Sequence, residues 1–141
     1  MAFVPLNWEE GRLIQLPCAA SVAFVKGGAA IYVSGVMNVA AAGEQGDIQF
    51  IVAETVTTSA AAGDIVDFYR VDPSVRIEAD VDAAAAQTDV GTFCDLATVS
   101  TLNPNASDDD IFFIEKIDLR GGAVGTSTKV TGYFTHGTPN A

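Results

Sequence analysis

The sequence predicts an all-β fold: a single-domain antiparallel β-barrel or β-sandwich with an extended N-terminal arm and little helix. Three observations carry this reading. One phrase occurs twice, as Ala40-Ala41-Ala42-Gly43-Glu44 leading into Asp47-Ile48-Gln49-Phe50 and as Ala60-Ala61-Ala62-Gly63-Asp64 leading into Ile65-Val66-Asp67-Phe68, each a small-residue turn feeding an apolar strand. Short β-prone stretches recur about every ten residues between Gly, Pro, Asn and Asp, the rhythm of a barrel or sandwich. In Val75-Arg76-Ile77-Glu78-Ala79-Asp80-Val81-Asp82, four apolar residues alternate with four charged ones, so one face is core and the other water.

Taken in chain order, residues 1–11 read as the arm, because Phe3, Val4, Leu6 and Trp8 surround Pro5 without the length for an element. A frayed terminus and a segment docked on a neighbouring surface are the two readings of a terminus with four large apolar side chains. The domain spans 12–135. Its first strands are Arg12–Leu16, Ser21–Lys26, Ala30–Ser34 and Val36–Ala40, with Gly27-Gly28 and Ser34-Gly35 as tight turns between them. Asp47–Val56 reads as one strand. Ile65–Val71 and Val75–Asp82 read as adjacent antiparallel strands joined by the turn Asp72-Pro73-Ser74. Asp82-Ala83-Ala84-Ala85-Ala86-Gln87 allows a single helical turn with Asp82 as N-cap. Thr92–Ala97, Ile111–Leu119 and Thr128–Thr135 complete the strands, the last two separated by Gly121-Gly122 and Gly125. Residues 136–141 form a polar, loose tail.

Length and composition narrow the function. A chain of 141 residues buries roughly two thirds of its unfolded surface and needs no disulfide to fold. Seven Lys and Arg stand against 18 Asp and Glu, a net charge of -11, so a phosphate backbone or an anionic membrane repels it. Neither nucleic acid nor membrane is an expected partner. The most apolar block, Ile111-Phe112-Phe113-Ile114, is far below the ~20 residues of a membrane span. The stretch Met1 to Glu10 lacks the basic region and apolar core of a secretory signal, so use without export by that route is expected. A mean hydropathy of +0.30 with only 18% charged residues suggests apolar surface for a partner or a second copy. Cys18 and Cys94 allow one bridge, with buried free thiols the favoured reading.

Groups able to do chemistry are scarce. His136 is the single histidine, no Gly-x-Ser-x-Gly elbow faces it, and a zinc cluster of histidines is impossible. No catalytic residue, metal site or cofactor is assigned. The run Asp108-Asp109-Asp110 and the carboxylates Asp80, Asp82, Asp89 and Asp95 offer oxygens to calcium, but without the spacing of an EF-hand, and a solvated acidic turn is the default. Trp8, Tyr32, Tyr69 and Tyr133 would make a sugar-stacking platform if exposed together; strand aromatics more often fill a core. The glycine pairs lack the Lys-Ser or Lys-Thr ending of a phosphate loop and read as turns.

Several stretches taken together carry a family likeness: Ala60 to Asp64 with its following strand, and Asp89-Val90-Gly91-Thr92-Phe93-Cys94-Asp95-Leu96. It continues through Thr101-Leu102-Asn103 and Asp109-Asp110-Ile111-Phe112-Phe113-Ile114-Glu115-Lys116-Ile117 to the strand Lys129–Thr135. In these the chain resembles the small head decoration, or capsid cement, proteins of tailed bacteriophages. The resemblance implies a β-barrel or sandwich on the outer capsid surface of the virion, made in the host cytoplasm and bridging subunits of the major capsid protein. It also implies a homo-oligomer, with a trimer at local threefold positions as one form. Phe3, Val4, Leu6 and Trp8 are then the expected partner-binding residues, lying along a capsid subunit or a neighbouring copy. The competing expectation is a receptor- or glycan-binding module of a fibre or adhesin, which shares the fold and needs no enzyme residues.

Overall fold

The computed structural model describes residues 3–6, 13–20, 22–33, 35–40, 48, 50–60, 63–71, 73, 75–107 and 110–135, with the backbone alone at 57–60. Thirteen strands are assigned among them: β1 (Phe3–Pro5), β2 (Leu13–Pro17), β3 (Val22–Phe24), β4 (Ala29–Val33), β5 (Val36–Val39), β6 (Phe50–Val52), β7 (Val56–Ala60), β8 (Ile65–Arg70), β9 (Ile77–Asp80), β10 (Phe93–Thr98), β11 (Thr101–Asn103), β12 (Phe112–Ile117) and β13 (Lys129–Phe134). The only helical pieces among the described residues are 3-10 turns at Gln87–Asp89 and Leu119–Gly121, so the all-β expectation holds.

The strands form three antiparallel sheets: β1-β9-β13-β12-β10-β11, β2-β8-β6-β4-β5, and the pair β3-β7. Both larger sheets curl, bringing β11 up to the chain that follows β9 in the first and β5 up to the chain that follows β2 in the second. Beyond β9, Val81 bridges Leu102 of β11, and the Asp82 amide donates to the Leu102 carbonyl at 2.9 Å. Beyond β2, Cys18 bridges Met37 of β5, and the Ala19 amide donates to the Met37 carbonyl at 2.9 Å.

Two cores follow from strand alternation. Phe50, Val52, Val66, Phe68, Ala30 and Met37 point to one side of the five-stranded sheet and pack with Phe24 of β3. Ala29 and Ile51, one position out of step, point to the other side and join Phe3, Ile77, Phe112, Ile114 and Phe134 of the six-stranded sheet. All three residues of β6 are therefore buried, because both of its faces are covered. The high mean hydropathy has this layering as its first cause. Phe3, Phe134 and Phe112 form an edge-to-face chain with successive centroids 5.1 Å apart.

Four expectations are corrected. Residues 1–11 do not form an arm throughout: Phe3–Pro5 is a strand of the six-stranded sheet, Phe3 lying opposite Ala79 and only 1% exposed. The buried phenyl ring, together with the pairing to β9, offsets the ordering cost of a three-residue strand. The stretch Asp47–Val56 is not one strand. Within it Ala53-Glu54-Thr55 carries the chain from one sheet to another, held where the Asp67 amide donates to the Glu54 carboxylate (3.1 Å) and the Lys26 amide to the Thr55 hydroxyl (3.1 Å). The strands around Pro73 are not neighbours: β8 lies between β2 and β6, and β9 between β1 and β13. Val71 and Val75 are both buried in the core shared by the two sheets, so this connection crosses it. No helical turn begins at Asp82, since its amide is bonded to Leu102 and that of Ala85 to the Ser127 carbonyl. The turn comes later, where the Asp89 carboxylate accepts the Ala86 amide at 2.8 Å.

The loop between β12 and β13 is tied down by charge. Asp118 accepts from the Arg120 backbone amide (3.0 Å) and guanidinium (2.8 Å), Arg120 also pairs with Glu78, and Lys129 bonds Asp80 at 2.6 Å. The hydrogen bond from Arg120 is the main cause holding the Asp118 carboxyl below its ordinary 3.8; the bond to Asp80 holds the Lys129 ammonium above its ordinary 10.5. A lowered carboxyl stabilises the fold above its unfolded value, and this is lost as pH falls through the folded value; a raised ammonium stabilises below its unfolded value, and this is lost as pH rises through the folded one. Unfolding midpoints should therefore fall below pH 3.8 and above pH 10.5, and Asp118→Asn should flatten the acid limb.

Cys18 and Cys94 are fully buried thiols in different cores. Burial pushes both thiols up from their ordinary value, more strongly at Cys94, with Asp64 adding to the effect at Cys18 and Asp95 at Cys94. Native protein should therefore react with a thiol reagent orders of magnitude more slowly than protein in denaturant, which releases both thiols.

Candidate functional site

Side chains of the six-stranded sheet that alternate away from the core form an outer face. On β13, Gly132 and Phe134 point inward and Tyr133 outward; on β12, Phe112 and Ile114 point inward and Phe113 outward. Phe113 lies opposite Tyr133, their rings stacked at 5.3 Å. Next across the sheet is Arg76, its guanidinium carbon 5.1 Å from the Tyr133 ring centroid. Beyond it Leu6, 47% exposed, donates its amide to the Arg76 carbonyl at 2.8 Å. Leu6, Arg76, Tyr133 and Phe113 thus form one row over four strands, ~14 Å long at the usual strand spacing.

The row is held rigidly. Arg76 Nε lies 2.6 Å from Glu115 Oε1 and its Nη1 donates to the Pro73 carbonyl at 2.7 Å, which fixes the guanidinium over Tyr133. The same face continues along the strands into Glu78, Asp80, Lys129 and Arg120, whose charges are mutually paired. One end of the face is therefore aromatic, the other ionic. A partly exposed aromatic row on a preorganised sheet is a candidate surface for protein contact.

At the far end of the row Phe93 lies opposite Phe113, but its ring stands at 63° to it, 5.0 Å away, and is 42% exposed. Phe93 forms one wall of an open hollow of about 440 Å³, whose polar lining comes from Asp89, Thr92, Asn105, Ser107 and Asp110. A smaller hollow of about 170 Å³ lies beside β1, between Val4, Lys26 and Tyr69.

The expected site residues separate. Phe3 is core, Val4 is half-buried opposite Glu78, Leu6 joins the outer row, and Trp8 lies outside the described residues. His136, Asp108 and Asp109 also lie outside them. Tyr32 is exposed on β4, Tyr69 packs against the core from β8 and Tyr133 is in the other large sheet, so these three make no common platform. Asp80 pairs with Lys129, and Asp95 accepts the Asp110 amide at 2.9 Å. Among the described residues no group of three or more His, Cys, Asp or Glu is placed to hold a metal ion. None of the helical pieces described is long and apolar enough to cross a membrane.

Sequence reasoning missed Phe93, Phe113 and Arg76 as members of one surface. The available signal was parity: each stands one residue out of step with a core-facing neighbour, namely Cys94, Phe112 and Ile77. No protein-family model matches the chain, and no curated protein is significantly similar to it.

Proposed function

We propose that this is a structural virion protein that binds the outer surface of a tailed-phage capsid and stabilises the shell by bridging major capsid subunits. The observation that carries the reading is the outer row of Leu6, Arg76, Tyr133 and Phe113, an aromatic contact surface on a rigid sheet. The resemblance in sequence and the all-β architecture support the same reading. Binding to the assembled lattice but not to separated subunits stabilises the shell by mass action, and repetition around symmetry axes multiplies weak contacts. Association of the copies, as trimers in one form, belongs to this proposal.

The row takes the place of the arm in this mechanism. The amide of Phe3 is already donated to the Gly27 carbonyl at 3.1 Å, and Pro5 has no N–H, so the outer edge of β1 offers no donor to a partner strand. Contact through side chains of the face replaces strand addition. Tyr133→Glu should reduce head occupancy at least about tenfold, as expected for a central aromatic anchor. Leu119→Glu, on an exposed loop residue away from the row, should leave occupancy unchanged. Equal occupancy for both variants would reject the row as the contact.

A further inference from the structure

We propose that the hollow beside Phe93 is a carbohydrate site that takes a neutral glycan, a ligand class independent of the capsid reading. Its volume, about 440 Å³, lies within the range of small-ligand sites. Its lining mixes the groups that a polyhydroxylated ring needs: hydroxyls of Thr92 and Ser107, the amide of Asn105, carboxylates of Asp89 and Asp110, and the exposed ring of Phe93. A sugar presents hydroxyls at its rim and an apolar C–H face, and the aromatic wall matches the second as the polar groups match the first.

Other ligand classes fit less well. Two carboxylates in the wall, on a chain of net charge -11, disfavour phosphate, sulfate or a nucleotide. An extended peptide would need free backbone groups, and several of those near the hollow are already bonded. The Asp95 amide donates to the Ala106 carbonyl, that of Ile111 to Cys94 and that of Ile114 to Thr92, each at 3.0 Å.

The lining is also preorganised. The Thr92 hydroxyl donates to the Asp89 carbonyl at 2.6 Å and keeps its lone pairs for a ligand. The Asn105 amide nitrogen of the main chain donates to Asn103 Oδ1 at 3.0 Å, and one Asp89 oxygen is fixed by the Ala86 amide at 2.8 Å. Little ordering is left to be done on binding.

Saturation-transfer NMR on the intact protein with maltotriose, cellotriose and chitotriose, and with a sulfated disaccharide as the anionic control, tests this. Transfer to ring protons of at least one neutral trisaccharide is expected, with none to the sulfated probe. Phe93→Ala should weaken that binding about tenfold, Phe93→Tyr should retain it, and Asn105→Ala, at an exposed turn that leaves the fold intact, should weaken it severalfold. No transfer to any neutral trisaccharide, or transfer unchanged in both Phe93→Ala and Asn105→Ala, would overturn the proposal. Head occupancy of Asn105→Ala, measured beside it, separates the two readings: Asn105 lines the hollow and lies outside the outer row, so occupancy should equal that of the unaltered protein whether or not sugar binds.

Discussion

Replacing Gly132 by alanine is expected to lower the thermal unfolding midpoint sharply. Gly132 lies in β13 between Ile114 of β12 and Ile77 of β9. A Cβ there would overlap the Phe113 carbonyl oxygen, lie 2.8 Å from Phe112 Cε1 and 2.9 Å from the Phe113 carbonyl carbon. The obstacle is backbone of the neighbouring strand, and it cannot swing aside as the tip of a long side chain can. The ladder pairs Ile114 with Gly132 and Phe113 with Tyr133, so a methyl at 132 forces β12 and β13 apart. A cost of at least ~3 kcal/mol is expected, a large share of the stability of an ordinary domain. Gly35→Ala is the comparison. There the space is open and only a φ of +86° is strained, so about 1–2 kcal/mol should be lost. Thermal unfolding of both variants checks this, and a Gly132→Ala midpoint within a few degrees of the unaltered protein would contradict the β12–β13 register.

Phe3→Ala should cost about 3–5 kcal/mol, the usual loss for a buried phenyl ring. Phe3 is 1% exposed and packs edge-on against Phe134, which packs in turn against Phe112. Leu6→Ala, three residues on and 47% exposed, should change stability by no more than ~0.5 kcal/mol. Chemical denaturation of the pair separates the core role of β1 from its surface. Deleting residues 2–8 should therefore destabilise the whole domain, and lost head binding in that deletion would not isolate a docking segment. An unchanged denaturation midpoint after the deletion would return the segment to the status of an arm.

The two outcomes bear on what could be read from sequence. Strand positions were legible where one face meets water, as in the alternation of Val75, Ile77, Ala79 and Val81, every one of which is buried. Strand ends were not legible around Phe50-Ile51-Val52, read as part of one strand Asp47–Val56, because both faces are covered there and the period of two disappears. Pairing partners were hidden for a different reason. Pro73 and its flanking residues satisfy a hairpin turn and a crossing between sheets equally well in local terms, and only the burial of Val71 and Val75 in one shared core decides between them.

The site was less legible than the fold. Phe3 and Leu6 look alike in sequence, yet strand parity sends one to the core and the other to water. The outer row gathers residues 6, 76, 113 and 133, which only the sheet order β1-β9-β13-β12 makes neighbours. Within Ile111-Phe112-Phe113-Ile114, the outward Phe113 is masked because its neighbours are as apolar as itself. A surface assembled across strands from aromatic residues leaves no local motif.

Co-sedimentation of the purified protein with mature phage heads that lack it tests the capsid proposal most directly, with saturation ratio and heat resistance of the heads both read. Saturable binding at a ratio set by the symmetry of the shell, with heads that survive higher temperature, is the predicted result. Intact heads that bind none of it, or that bind it with no gain in heat resistance, would contradict the proposal.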